Sequence, residues 1–222
     1  GCNSAVEHAH GDVLIILNPD CYVEHDTIAA LRGVLNQRSD AGVVGVCICN
    51  PNGAPARAIR RRAPTLWRSL MTITGLARFE LRFPYLAGIE LPVVRPEVLE
   101  EVDAVSGALL CLPRTVFDSI GGFDPGYFLH CEDLDLCQRV RNKKLKVLYV
   151  HTLHVIHAQG SSSHHRPFFV AWHKHRGMWR YFCKFDAAAR KPLLAVLVWC
   201  GIWMHFFVKL PIYWLRQSRA HS

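Results

Sequence analysis

The sequence predicts an α/β fold organised around one open sheet. Two short apolar runs separated by an amphipathic helix carry that prediction, together with a chain of 222 residues, half of them hydrophobic, that can bury one good core. The first run, Asp12 to Leu17, holds Val13, Leu14, Ile15 and Ile16 and ends at Asn18-Pro19-Asp20, as expected of a buried parallel strand feeding a loop. Asp26 is placed to cap a helix reaching Gln37, with Ile28, Leu31 and Leu35 on one face. Gly42 to Ile48 reads as the second buried strand. Strand, helix, strand implies a right-handed parallel crossover, and ligand chemistry in open sheets gathers at the strand ends.

Asn50-Pro51-Asn52-Gly53 is a turn, and Ala54 to Pro96 is a proline-rich, weakly periodic insertion with a short helix near Leu66 to Ala77. Ala104 to Leu112 is strand-like, Arg114 to Ile120 a short helix, and Gly121-Gly122-Phe123-Asp124-Pro125 a turn cluster. Glu132 to Lys144 is a helix whose Leu136, Cys137 and Val140 face a core, with Asp135 and Arg139 paired four apart. Lys146 to Val150 is a last strand, leading into a polar stretch rich in His and Ser, His151 to His165, and Phe168 to Phe185 is helical. Pro192 to Leu215 carries only His205 and Lys209 as ionisable residues, near the roughly 20 residues that span a bilayer, and it is equally suited to lie in the interface. This divides the chain into a main domain, 1–185, and a hydrophobic membrane-associated segment, 186–222.

The formal net charge of +8 suits an anionic partner such as a nucleotide diphosphate or lipid headgroups, with basic clusters at Arg60-Arg61-Arg62 and at Lys209, Arg216 and Arg219. Nucleic acid is disfavoured, because no zinc-finger, helix-turn-helix or aromatic RNA-binding signature appears. Nine cysteines include no pair at zinc-knuckle or thioredoxin spacing; Cys47 and Cys49 are separated by one residue, and most of the nine read as small buried hydrophobes in a reducing cytosol. His164, His165, His173 and His175 invite a zinc reading that the lack of suitably spaced cysteines argues against. With no initiator Met and no signal peptide, the chain is expected to be a fragment.

Three segments carry candidate chemistry. Asn18-Pro19-Asp20 sets an amide and a carboxylate two apart at a strand end, with Asp20 an oxygen ligand for Mg²⁺ or Mn²⁺, although such a sequence also makes a plain turn. Glu132-Asp133 sits at a helix start, where the macrodipole favours the anionic form. It follows the apolar Phe128-Leu129 and suits a general base as well as a stabilising cap. His157 follows Val155-Ile156 and is either a further metal ligand or a structural imidazole.

In order and content these segments resemble family 2 of the inverting GT-A glycosyltransferases, most closely its bacterial rhamnosyltransferase-type branch. The resemblance runs from Gly1 to Tyr181 and rests on Leu17-Asn18-Pro19-Asp20, Val102-Asp103-Ala104-Val105-Ser106-Gly107-Ala108, Gly121-Gly122-Phe123-Asp124, Phe128 to Cys137 and Val155-Ile156-His157. It implies a Rossmann-like mixed sheet with helices on both faces, here lacking its first strands, plus the C-terminal hydrophobic helix. By similarity, Asp20 and His157 hold the donor's metal, Mg²⁺ or Mn²⁺, and Asn18 stands in the first place of an Asp-x-Asp motif. Asp133 is the base with Glu132 beside it, Arg139 and Arg141 serve as diphosphate or structural contacts, and Ser106 and Gly107 lie near the acceptor.

The resemblance further implies a nucleotide-sugar donor, dTDP-rhamnose by branch, and a lipid-linked saccharide acceptor at the cytoplasmic face of a bacterial inner membrane. Two other classes stay open at this point: a catalytically inactive membrane-associated fragment, and a metal-dependent hydrolase built from Asp20, Asp133 and His157.

Overall fold

The computed structural model describes residues 1–92, 98–158 and 166–219. In chain order the elements are α1 (Cys2–Glu7), β1 (Val13–Leu17), β2 (Cys21–Val23), α2 (Thr27–Gln37), β3 (Ala41–Cys49), β4 (Arg60–Arg61) and α3 (Leu66–Thr74). They continue as β5 (Leu99–Val102), β6 (Ala104–Val105), β7 (Leu109–Pro113), α4 (Arg114–Ser119), α5 (Glu132–Asn142), β8 (Lys146–His157), α6 (Pro167–Phe185) and α7 (Pro192–Arg219). The chain divides into two compact units: Gly1–Phe123 with Leu136–Gln159, and Asp124–Asp135 with Gly160–Ser222.

The first unit is built on a mixed sheet in the order β1-β7-β3-β8-β2, with β5 also paired to β8. All nine residues of β3 are buried, which is why its run is apolar without alternation. β8 runs parallel to β3, whereas β7 is antiparallel to both β3 and β1. The crossover from β1 to β3 therefore joins parallel strands that are not neighbours, since β7 occupies the slot between them. β1 lies at a sheet edge and exposes Leu17.

Leu31 of α2 is fully buried, and α2 packs on β3 and β7. Leu136, Cys137 and Val140 of α5 are fully buried, as their helical spacing predicts. The close approach of α5 to β3 requires Gly42, where an added Cβ would stand 2.3 Å from Val140 Cγ1.

Three expectations are corrected. Asp26 does flank α2 but makes no side-chain cap; its carboxylate instead meets His25 Nδ1 at 2.9 Å. The segment Ala104 to Leu112 is two strands, interrupted where Ser106 Oγ accepts a turn hydrogen bond from the Ala108 N–H. β8 continues past Val150 to His157, because β5 pairs along its first half and β2 along its last residues. The exposed positions in its second half give that stretch the polar look of a loop.

In the second unit α6 and α7 pack through aromatic side chains, among them Trp172 on Trp203 at 4.7 Å and Phe168 edge-on to Phe206 at 5.5 Å. His175 Nε2 meets His205 Nδ1 at 3.1 Å. A small core of Tyr127, Cys131 and Tyr181, flanked by Leu134, Met178 and Phe185, anchors the segment before α5 to α6. Pro192–Ile212 is 21 residues long and apolar enough to cross a membrane by length and composition. It exposes large side chains such as Leu193 and Met204.

Candidate functional site

The first unit gathers one candidate site at the end of its sheet. Antiparallel pairing of β2 with β8 puts Cys21 opposite His157, and the ladder is extended by the Ala158 N–H donating to the Asp20 carbonyl at 2.9 Å. That register brings Asp20 Oδ1 to 3.0 Å from His157 Nε2, although the two residues are far apart in sequence. The same loop is tied to β7: the Asn18 N–H donates to the Ala108 carbonyl at 3.0 Å, and the Cys21 thiol donates to that carbonyl at 3.6 Å. Asn18, Asp20 and His157 are therefore grouped beside the Ser106-Gly107-Ala108 turn. The Ser106 N–H is anchored on the Ile59 carbonyl at 3.1 Å.

The Asp20 and His157 pair fits a divalent cation. Octahedral bonds of about 2.1 Å put neighbouring ligand atoms about 3.0 Å apart, and the carboxylate oxygen and imidazole nitrogen stand at 3.0 Å. Both side chains are about one-fifth exposed, at 25% and 18%, which leaves an open side for water or phosphate oxygens. A mixed oxygen and nitrogen donor set suits Mn²⁺ at least as well as Mg²⁺.

The second unit holds the Glu132-Asp133 pair at the start of α5. The chain enters that helix through two successive non-glycine residues in the left-handed region, His130 at φ 65° and Cys131 at φ 69°. Such conformations cost about 1 to 3 kcal/mol each and persist only where the surroundings enforce them. Enforcement comes from the Tyr127, Cys131 and Tyr181 core and from α6, whose Gly177 lies so close that a Cβ there would be 3.0 Å from the His130 carbonyl oxygen.

Asp133 is half-buried and its Oδ1 accepts from the Leu134 N–H at 2.8 Å, in the positive field of the helix start. Asp135, fully buried, meets Lys184 Nζ at 2.5 Å, and Lys184 reaches Asp124 at 2.8 Å, where Arg180 also binds. Burial pushes the Asp124 carboxyl up, but Lys184 and Arg180 outweigh it and hold the group well below the usual carboxylate range.

Several candidate residues have structural work on view. Arg139 Nη1 donates to the Ile120 and Gly122 carbonyls at 2.6 and 2.7 Å, which fixes the turn before Phe123. Arg141 pairs with Asp103 at 2.8 Å. The Arg60-Arg61-Arg62 cluster is not a free basic patch: Arg60 is buried against Glu100 and the Pro92 carbonyl, Arg61 donates to the Val105 carbonyl at 2.6 Å, and Arg62 pairs with Glu80 at 3.1 Å.

Of the four histidines suggestive of zinc, His164 and His165 lie outside the described residues. His173 lies tilted against Phe128 and edge-on to Phe169, and His175 Nδ1 bonds to the Ala171 carbonyl at 2.7 Å. Sequence reasoning missed Asn3, whose amide accepts from the Phe123 N–H and donates to the Phe123 carbonyl, pinning the turn beside α1. It also missed Asp103, which gathers the Ala63 N–H, Arg68 and Arg141. An Asn in a first helical turn and an Asp between two short strands carry no local pattern that marks them.

Residues 1–180 match the family described as "Glycosyltransferase like family 2". The chain is 29% identical over 180 residues to an N-acetylglucosaminyl-diphospho-decaprenol L-rhamnosyltransferase of Mycobacterium tuberculosis (strain ATCC 25618 / H37Rv), covering 76% of this chain and 58% of the relative. It is 28% identical over 196 residues to the rhamnosyltransferase WbbL of Escherichia coli (strain K12), covering 84% of this chain and 65% of the relative. The chain thus spans about three-fifths of the length of these curated relatives. A solved structure described as GalNAc-T7 with UDP, GalNAc and Mn²⁺ shares its fold, with a TM-score of 0.53, 16% identity, and coverage of 82% of this chain and 33% of that one. With a family match across most of its length and this fold beneath it, the chain belongs to glycosyltransferase-like family 2.

Proposed function

We propose that this chain is part of an inverting, metal-dependent glycosyltransferase that moves a sugar, rhamnose, from a nucleotide-diphosphate donor to a lipid-linked or cell-surface polysaccharide acceptor. The observation that carries the reading is the pairing of Asp20 with His157 at 3.0 Å, two residues far apart in sequence with the geometry and donor chemistry of a divalent cation site. Asp20 and His157 would hold the cation, Mn²⁺ or Mg²⁺, which when bound would supply positive charge to the departing nucleotide diphosphate. Asn18 and the Ser106-Gly107 turn border the same crevice and are assigned to substrate.

Asp133 is assigned as the general base, taking the proton of the acceptor hydroxyl as its oxygen bonds to the anomeric carbon and the diphosphate leaves from the opposite side. Its place in the first turn of α5 puts it in the positive end of the helix dipole, with Glu132 beside it in support. The activities of the two bacterial relatives support the choice of rhamnose, and that of the mycobacterial one supports a lipid-linked diphosphate acceptor. The exposed apolar helix Pro192–Ile212, about 31 Å long at the α-helical rise, supports a membrane-associated segment at 186–222, on the cytoplasmic face where nucleotide sugars are available.

The test is a transfer assay with the full-length protein, dTDP-rhamnose and a polyprenyl-diphosphate-linked saccharide. Rhamnosylated lipid should appear only with Mn²⁺ or Mg²⁺ and vanish with chelator. Donor hydrolysis without transfer would favour the hydrolase reading, and neither product would contradict both.

A further inference from the structure

The first unit holds a second convergence of metal-ligating side chains, on the sheet itself. Cys47 and Cys49 are two apart on β3, so their thiols leave the same face of the strand. Parallel pairing with β8 sets His154 beside Cys47. The two sulfurs are 3.9 Å apart, and one ligand atom from each of the three residues lies within 4.8 Å of the others.

Tetrahedral zinc, with Zn–S bonds of about 2.3 Å and Zn–N bonds of about 2.0 Å, sets two sulfurs about 3.8 Å apart and sulfur to nitrogen about 3.5 Å. The sulfur pair already has that separation. His154 is exposed, so a side-chain rotation can close the remaining edge without moving the backbone. A buried single thiol such as Cys111 fits the packing of an apolar core. Packing gives no reason for two thiols to meet an imidazole.

We propose that Cys47, Cys49 and His154 form a second cation site, one that binds Zn²⁺ with three protein ligands and leaves its fourth position open toward solvent beside His154. The site bridges β3 and β8 just where their register shifts, between Val46 and Cys47, so the ion clamps the two strands at the break in the ladder. The clamp lies three residues before His157 on the same strand and steadies the segment that carries that imidazole to Asp20.

Support from the surrounding residues is at hand. Tyr149 is buried with its side chain hydrogen-bonded to Cys47, which sets a phenol donor beside that sulfur. Thiolate ligands must shed their protons to bind an ion, so occupancy weakens as pH falls.

The experiment is a titration of the reduced full-length protein with Co²⁺, followed by displacement with Zn²⁺. A stoichiometric near-ultraviolet sulfur-to-cobalt charge-transfer band with an intense tetrahedral visible spectrum is expected, and Zn²⁺ should abolish both. Combined Cys47→Ala and Cys49→Ala should remove the charge-transfer band. Because that variant empties part of the core, His154→Asn at an exposed position is the deciding substitution: it should keep the fold, weaken Co²⁺ binding by about tenfold or more, and alter the visible spectrum. Asp20→Ala should leave the band intact, which separates this site from the crevice at His157. The proposal is overturned if saturating Co²⁺ gives no charge-transfer band, if His154→Asn leaves affinity and spectrum unchanged, or if Asp20→Ala removes the band.

Discussion

The two carboxylates with assigned chemistry are held in opposite ways. Asp20 gains its partner from a distant strand: three residues of β2 registered against the end of β8 decide that His157 stands beside it. Asp133 is positioned by its immediate chain, a left-handed pair of residues feeding a helix start that a local core and Lys184 hold in place. The first is a property of tertiary register and the second of local conformation. A cation site depends on two donors meeting, so it fails when either is lost, whereas a base depends on one group being kept ionised and aimed.

The largest effect should come from the first region. If Asp20 holds a cation as proposed, Asp20→Ala in the full-length protein should lower turnover by about 10³-fold or more and abolish stimulation by Mn²⁺. Full Mn²⁺-stimulated turnover in that variant would break the comparison at its first term. In the second region Asp133→Asn keeps shape and most hydrogen bonding while removing the proton acceptor. Turnover should fall by about 10² to 10⁴-fold with donor affinity hardly changed, and Glu132→Gln should cost less. A dead Glu132→Gln beside a near-normal Asp133→Asn would move the base by one residue.

Smaller effects sharpen the local half of the contrast. Gly177→Ala would push a Cβ to 3.0 Å from the His130 carbonyl oxygen. It should destabilise by about 1 to 3 kcal/mol of overpacking, offset in part by roughly 1 kcal/mol of helix propensity. An unchanged or raised Tm would show that α6 does not constrain the left-handed entry.

Asp124→Asn tests the ion pairs behind it. The folded carboxyl titrates below its unfolded value, so the stability it contributes is fully present above pH about 4 and is lost as pH falls through the lowered folded value. The variant should be less stable by about 1 kcal/mol at pH 7, a modest figure because Arg180 is 45% exposed, and the gap should close in acid. A gap independent of pH would assign Asp124 a packing role.

Legibility in the sequence follows the same division. The strand ending at Asn18-Pro19-Asp20, the buried run of β3 and the α5 face of Leu136, Cys137 and Val140 are written in local patterns, and the structure has them. β2 is only three residues long, too short to show a period, and the second half of β8 alternates over just Thr152 to Val155 before exposing Ile156, too brief a run among its histidines to mark a strand. Their pairing, which makes the Asp20 and His157 contact, was therefore visible only through family resemblance. The same blindness applies to Arg60, Arg61 and Arg62, since a run of arginines looks alike whether it faces solvent or the ion pairs with Glu100 and Glu80 that it makes here. β7 lying between β1 and β3 is a non-local fact that no short-range crossover pattern reports.

The most direct test of the central claim is pulsed electron paramagnetic resonance on the full-length protein loaded with Mn²⁺ and nucleotide diphosphate. Coordination by His157 predicts a nitrogen hyperfine coupling from a directly bound imidazole, lost in His157→Asn while Mn²⁺ binding weakens by about tenfold or more, and retained in His154→Asn. A saturated wild-type protein without that coupling, or a His157→Asn variant that keeps it, would contradict the assignment of Asp20 and His157 as the cation site.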